Sequence, residues 1–123
     1  MQLFPPDDDL QFLLGKEVSN IVFGSSGVHF VWWEGGEIHA MRNFDHLDGE
    51  GVRHRFGEGM WIDPPSLLHR LVQRRVKTLD VDDQSLTLSF DDGQKLIFHA
   101  YTGRGENGLI QFGEDLKDGW IVW

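Results

Sequence analysis

The amino-acid sequence predicts an α+β fold in which two pseudo-symmetric helix–β-hairpin repeats form a curved, mainly antiparallel sheet with two short helices. Three observations carry that expectation. The stretch Val76 to Ala100, VKTLDVDDQSLTLSFDDGQKLIFHA, alternates apolar and polar residues at Leu86, Leu88 and Phe90, turns at Asp92-Gly93, and resumes at Leu96 and Phe98. A period of two on both sides of an Asp-Gly pair is a strong short-range hairpin signal. The same pattern runs from Val18 to Ile38, displaced by 58 residues (Val18 to Val76). Each copy is preceded by a short apolar stripe that opens near a proline and repeats at spacings of three and four, the helical period.

At the 58-residue offset, Pro6 matches Pro64, Leu10 matches Leu68, Leu13 matches Leu71, Val18 matches Val76 and Gly35 matches Gly93. Conservative pairs such as Ile21 with Leu79, Val28 with Leu86 and Trp32 with Phe90 fill the intervals. Near the end of each copy the offset slips to 56, aligning Arg55-Phe56-Gly57-Glu58 with Gln111-Phe112-Gly113-Glu114, and Trp61-Ile62 then meets Trp120-Ile121. The matched positions are apolar-face residues, a turn glycine and a helix-start proline, where fold physics restricts choice. The expected unit is a single domain, 1–123, built of two internal repeats at about 6–62 and 64–121.

Taken in order, 5–15 reads as a short helix: proline suits its first turn, Asp7, Asp8 and Asp9 favour the positive end of its dipole, and Gly15 closes it. The three aspartates lack the spaced ligands of a calcium loop, so the helix reading is preferred. Strands follow at Val18 to Phe23, Val28 to Trp33 and Ile38 to Arg42, with Trp32 paired to Ile38 and Phe30 to Ala40. Residues 43–51 are turn-rich and acidic, and short strands are expected at Val52 to Phe56 and Met60 to Ile62. Asp63 and Pro64 open a second helix, striped by Leu67, Leu68, Leu71 and Val72, with Arg70, Arg74 and Arg75 at its C-terminal end. The second set of strands follows, then the glycine-rich loop Tyr101 to Gly108 and closing strands at Leu109 to Phe112 and Trp120 to Trp123.

Composition narrows the functional classes. Forty per cent hydrophobic residues with regular alternation argue against disorder. No apolar run approaches the ~20 residues of a membrane helix, and the N-terminus MQLFPPDDDL lacks the basic and apolar regions of a signal peptide. The absence of cysteine excludes disulfides, thiolate zinc sites and thiol catalysis, and fits a cytoplasmic chain. A formal charge of −9 disfavours nucleic acid and anionic membrane, and suits a basic partner.

Motifs for chemistry are weak. Gly103 to Gly108 matches G-x-G-x-x-G but leads into a strand-like segment rather than a helix, so a dinucleotide site is not expected. His29 and His39 are expected diagonally across adjacent strands, close enough for two metal ligands, with His54 or His99 having to supply a third; surface histidines are the preferred reading. Asp82-Asp83 and Asp91-Asp92 fall in turns, where aspartate serves the backbone. The cluster Arg70, Arg74, Arg75 and Lys77 is explained by a helix C-terminus without invoking phosphate or RNA. No catalytic residue, cofactor or metal is assigned, and an enzyme is not expected.

The tryptophans say more. The pair Trp32-Trp33 cannot point to the same side of a strand, so with Trp32 in the core Trp33 lies outside, sharing a face with Val31, His29, His39 and Met41. An exposed Trp among apolar neighbours is what an interface hot spot needs. In the second copy the corresponding outer positions are Thr87, Ser89 and Asp91, ordinary solvent residues. Trp33, Val31, His29, His39 and Met41 are therefore the candidate partner-binding residues.

With the pieces LxGxxVxxI and SFDDGQKL and a late Gly-Trp strand, the chain resembles small uncharacterised bacterial proteins, some of which occur as immunity partners of contact-dependent or polymorphic toxins. The resemblance implies a non-enzymatic protein that binds and antagonises a basic partner such as a bacterial toxin. Two alternatives stand beside it: a small-ligand or metal-binding domain, or divergent enzyme, using His29 and His39, and a structural homodimer.

Overall fold

The computed structural model describes residues 4, 10–24, 27–57, 65–100, 108–111 and 120–123. Ten strands run β1 (Val18–Gly24), β2 (Gly27–Trp32), β3 (Glu37–Ala40), β4 (Phe44–Leu47), β5 (Arg53–Phe56), β6 (Val76–Val81), β7 (Ser85–Phe90), β8 (Lys95–His99), β9 (Gly108–Gln111) and β10 (Trp120–Val122). They form two five-stranded sheets, ordered β1-β2-β3-β9-β10 and β5-β4-β8-β7-β6, with every pairing antiparallel. The alternation that marks β2 and β7 in the sequence is the alternation of burial: Val28, Phe30 and Trp32 point inward, as do Leu86, Leu88 and Phe90.

This is a mainly-β fold, which corrects the α+β expectation and its single curved sheet. In place of the two expected helices, the helical elements among the described residues are 3-10 helices, η1 (Gln11–Leu13) and η2 (Pro65–Leu71). The buried pairs are Leu10 with Leu13 and Leu68 with Leu71, both spaced by three, while Leu14 is exposed and Leu67 and Val72 only half-buried. A spacing of three suits either helix type; a segment this short gains little from α-helical propagation, so packing of one turn decides. Gly15 at φ 81° and Gln73 at φ 72° end these turns in left-handed conformation. The proposed helix starts at Asp7 to Asp9 and at Asp63-Pro64, the strand at Met60 to Ile62 and most of the 101–108 loop lie outside the described residues.

Three further corrections concern register and extent. The β2–β3 hairpin pairs Phe30 with Ile38 and Val28 with Ala40, two residues from the expected register, which leaves each side chain on its expected face. Residues 43–51 are not all turn: β4 lies within them, disguised because its inward and outward positions include Asp45 and His46, both buried. The expected match of Arg55-Phe56 with Gln111-Phe112 is not one of position, since Arg55 stands on β5 and Gln111 ends β9.

The last two strands of each half belong to the opposite half's sheet: β9 pairs with β3, and β4 with β8. Where the halves meet, the backbone bonds reciprocate. Gly15 N donates to Val76 O and Gln73 N to Val18 O; Val18 N donates to Arg74 O and Val76 N to Lys16 O. Glu17 and Arg75 form the antiparallel bridge at the centre of this seam. The bulge between Val18 and Asn20 in β1 likewise faces one between Val76 and Thr78 in β6.

One buried cluster joins both sheets. Phe30 of β2 meets Phe44 of β4 and Phe98 of β8 edge-on, at centroid distances of 5.5 and 5.6 Å, and Phe98 meets Trp123 at 5.9 Å. Edge-to-face contact of this kind adds to the area the rings bury. Among the described residues no helix is long and apolar enough to cross a membrane.

Candidate functional site

The hairpin β2–β3 places His29 directly opposite His39, with rings stacked at 3.8 Å and 14°. Glu37 receives a 2.6 Å hydrogen bond from His29 Nδ1. Val31, His39 and Met41 are half-buried, Met41 just past the end of β3. The stacked rings do not make a metal pair in this arrangement, because an imidazole lone pair lies in the ring plane and a metal in one plane would miss the other ring's. His54 and His99 stand on the other sheet, and among the described residues no group of three or more histidine or carboxylate side chains is placed to hold a metal ion.

Trp33 sits in the turn after β2 rather than in the strand, and is 57% exposed, the most of any large apolar side chain among the described residues. Its amide donates to Glu17 O at 2.9 Å, which ties the turn to the seam. Beside it a groove of about 410 Å³ is lined by Leu14, Lys16, Glu17, Glu34 and Arg75. Leu14, at 40% exposure, extends the apolar ground next to the indole. At the corresponding turn of the second half stands Asp91, whose amide donates to Arg75 O as Trp33 donates to Glu17 O. The same backbone is thus built without a tryptophan.

On the edge strand β1, Val22 and Phe23 are each 45% exposed. Neither was marked by the alternation, which treats β1 as a paired strand; only the sheet order reveals it as an edge. Its counterpart β6 carries exposed Lys77, Thr78 and Asp80, the charged dressing that discourages edge-to-edge pairing.

The second sheet carries polar groups on both faces of β4. Outward, Asp45 is 5% exposed and accepts from Arg53 Nη1 at 2.5 Å and from His99 Nε2 at 3.2 Å, with Arg55 Nε 4.0 Å from its other oxygen. These residues, with Asn43, Phe56 and Gly57, line a cavity of about 400 Å³. Inward, His46 is fully buried; its Nε2 lies 2.8 Å from Gln94 Oε1, and Gln94 Nε2 donates to Arg70 O and to Asp92 Oδ2. Because Gln94 Oε1 can only accept, His46 donates from Nε2, and Nδ1 is left buried with no protein partner among the described residues. Burial, first, and then the neighbouring His54 and Arg70 hold the His46 pKa below 6.5 against the raising effects of the Gln94 bond and Asp48. Asp48 accepts from His54 Nε2 at 3.0 Å and from the amides of Glu50 and Val52; the His54 bond leads in lowering its pKa from 3.8 to about 2.

Three of the remaining sequence candidates, Arg74, Arg75 and Asp82, have structural partners. Arg74 lies 3.7 Å from Asp92, and Arg75 bonds both Glu17 and Gly15 O. Asp82 Oδ1 accepts from the amides of Gln84 and Ser85, which lowers its pKa and fixes the β6–β7 turn. Gly108 opens strand β9 rather than a helix. Sequence reasoning missed Asp45, Arg53, Arg55 and His99 as a group, because the pairing of β4 with both β5 and β8 brings them together. Comparison with protein-family models, with curated proteins and with solved structures finds no match to this chain.

Proposed function

We propose that this is a non-enzymatic, cytoplasmic protein-binding protein of the antagonist or immunity kind, with a basic protein such as a bacterial toxin as its partner. The observation that carries the reading is Trp33: a large indole, 57% exposed, set at the mouth of a groove with Leu14, on a backbone that the other half builds with an aspartate. Exposure of an indole has a free-energy cost that a partner's surface removes, and tryptophan is among the side chains that most often anchor interfaces. The −9 charge would steer a basic partner and raise its association rate. Val31, and beyond it His29 and His39, continue the half-buried face along the β2–β3 hairpin, with Met41 at its far end beside Gly27, and are taken as the extension of the contact. The two halves are taken as copies of one duplicated unit, the first specialised for contact and the second retained for packing.

A second reading, self-association through β1, is favoured by Val22 and Phe23 on an edge strand without charged side chains. The test is affinity capture of the tagged protein from the lysate of its own cells, with wild type and Trp33→Ala in parallel. A basic protein retained at low salt, weakened at high salt and lost with Trp33→Ala is expected. Retention of nothing but a second copy of the chain overturns the first reading in favour of the second.

A further inference from the structure

We propose that the groove beside Trp33 receives one arginine side chain of the basic partner, its guanidinium stacked on the indole and paired with the Glu34 carboxylate. The inference rests on the reading of Trp33 as the contact surface and names what that surface recognises. Trp33 and Glu34 are neighbours in the β2–β3 turn, and both line the groove of about 410 Å³ with Leu14, Lys16, Glu17 and Arg75. The charges of this lining are not equally engaged. Lys16 Nζ lies 3.5 Å from Gly35 O, and Arg75 bonds Glu17 Oε1 and Gly15 O, each at 3.2 Å. Glu34 is exposed, and its carboxylate has no hydrogen-bond or ion-pair partner among the described residues.

The second half shows that the fold does not ask for this arrangement. At the 58-residue offset Glu34 corresponds to Asp92, whose carboxylate is taken up by its own turn. Asp92 Oδ1 accepts from the Gln94 amide at 3.2 Å and Oδ2 from Gln94 Nε2 at 2.7 Å, with Arg74 Nε 3.7 Å away. Glu34 also carries backbone strain: it stands at φ 70°, left-handed for a residue with a side chain, whereas Asp92 does not. The other such residue among those described, Gln73, ends the η2 turn where the first half has Gly15. A strained residue beside an exposed indole, in a turn that the other half builds without strain, points to contact rather than to folding. Stacking on the indole and pairing with a carboxylate call for a group that is flat, charged and able to donate from its edge. A guanidinium does both at once, while an ammonium is a point charge. The lining is formally neutral, two acids against two bases, so the −9 of the whole chain selects the sign of the visiting charge.

The test uses the full chain, with the blocked tripeptides acetyl-Gly-Arg-Gly-amide, acetyl-Gly-Lys-Gly-amide and acetyl-Gly-Glu-Gly-amide as probes, read by NMR shifts of the Trp33 indole N–H and of the backbone amides. Saturable millimolar binding of the arginine peptide is expected, tighter than that of the lysine peptide, with shifts centred on Trp33 and Glu34. Glu34→Gln should weaken it about fivefold, the scale of one partly exposed ion pair, with the unfolding midpoint unchanged because the carboxylate holds nothing in the fold. No saturable shift with the arginine peptide, binding indifferent to Glu34→Gln, or equally tight binding of the lysine or glutamate peptide overturns the proposal. Affinity capture separates this failure from that of the reading beneath it. A partner lost with Trp33→Ala but held undiminished by Glu34→Gln overturns the arginine contact alone, and a partner indifferent to both overturns the contact surface as well.

Discussion

Glu17 and Arg75 meet across the line where the two sheets touch, as an antiparallel bridge in the backbone and as an ion pair of 3.2 Å between Oε1 and Nη2. They are also each other's counterparts at the 58-residue offset, so a single position of the pattern pairs with itself in opposite charge. Around them the amides of Gly15, Val18, Gln73 and Val76 close the seam by main-chain hydrogen bonds, beside which Arg75 Nη1 adds one to Gly15 O.

The ion pair should therefore add little. Arg75 is 60% exposed and Glu17 24% exposed, so water and salt screen their attraction. A double-mutant cycle with Glu17→Ala and Arg75→Ala, read by urea unfolding, should give a coupling of less than about 1 kcal/mol.

His46 should make stability depend on pH in one direction. Its folded pKa is held below 6.5, so the folded state binds fewer protons than the unfolded chain in the interval beneath 6.5. The contribution of neutral His46 is complete above 6.5 and is lost as pH falls from 6.5 toward the lowered folded value. The structural cause is plain: a second proton would go to Nδ1, which is buried with no acceptor among the described residues. Urea midpoints measured across this interval should fall with pH in wild type and fall less steeply in His46→Leu.

Phe98 is the joint of the core, touching Phe30, Phe44 and Trp123 while fully buried. Phe98→Ala should cost about 3–5 kcal/mol of stability, from lost burial plus the cavity left between the sheets. Chemical denaturation of the variant checks this directly.

The hairpins were legible because β2, β3, β7 and β8 follow a period of two and turn on glycine, and each of those features acts within a few residues. The apolar stripes were legible too, but their period could not say that one turn of 3-10 helix would serve where an α-helix was expected, since Leu10 with Leu13 and Leu68 with Leu71 fit both. Strand β4 was hidden because Asp45 and His46 look like loop residues until Arg53, His99 and Gln94 are placed beside them. The exchange of β4–β5 and β9–β10 between halves has no local signature, for it depends on which sheet edge a returning strand meets. Trp33 was found as an outward residue from the Trp32-Trp33 pair alone; its groove with Leu14 required the seam.

The most direct measurement is the affinity of Trp33→Ala for the protein captured by wild type, compared with wild type at the same salt and with the fold of the variant checked by its unfolding midpoint. The expected result is an affinity loss of about thirtyfold or more, the scale of an interface hot spot above 2 kcal/mol, with an unfolding midpoint close to that of wild type because the indole is 57% exposed. Undiminished affinity in a fully folded Trp33→Ala variant would contradict the placement of the binding surface on this turn.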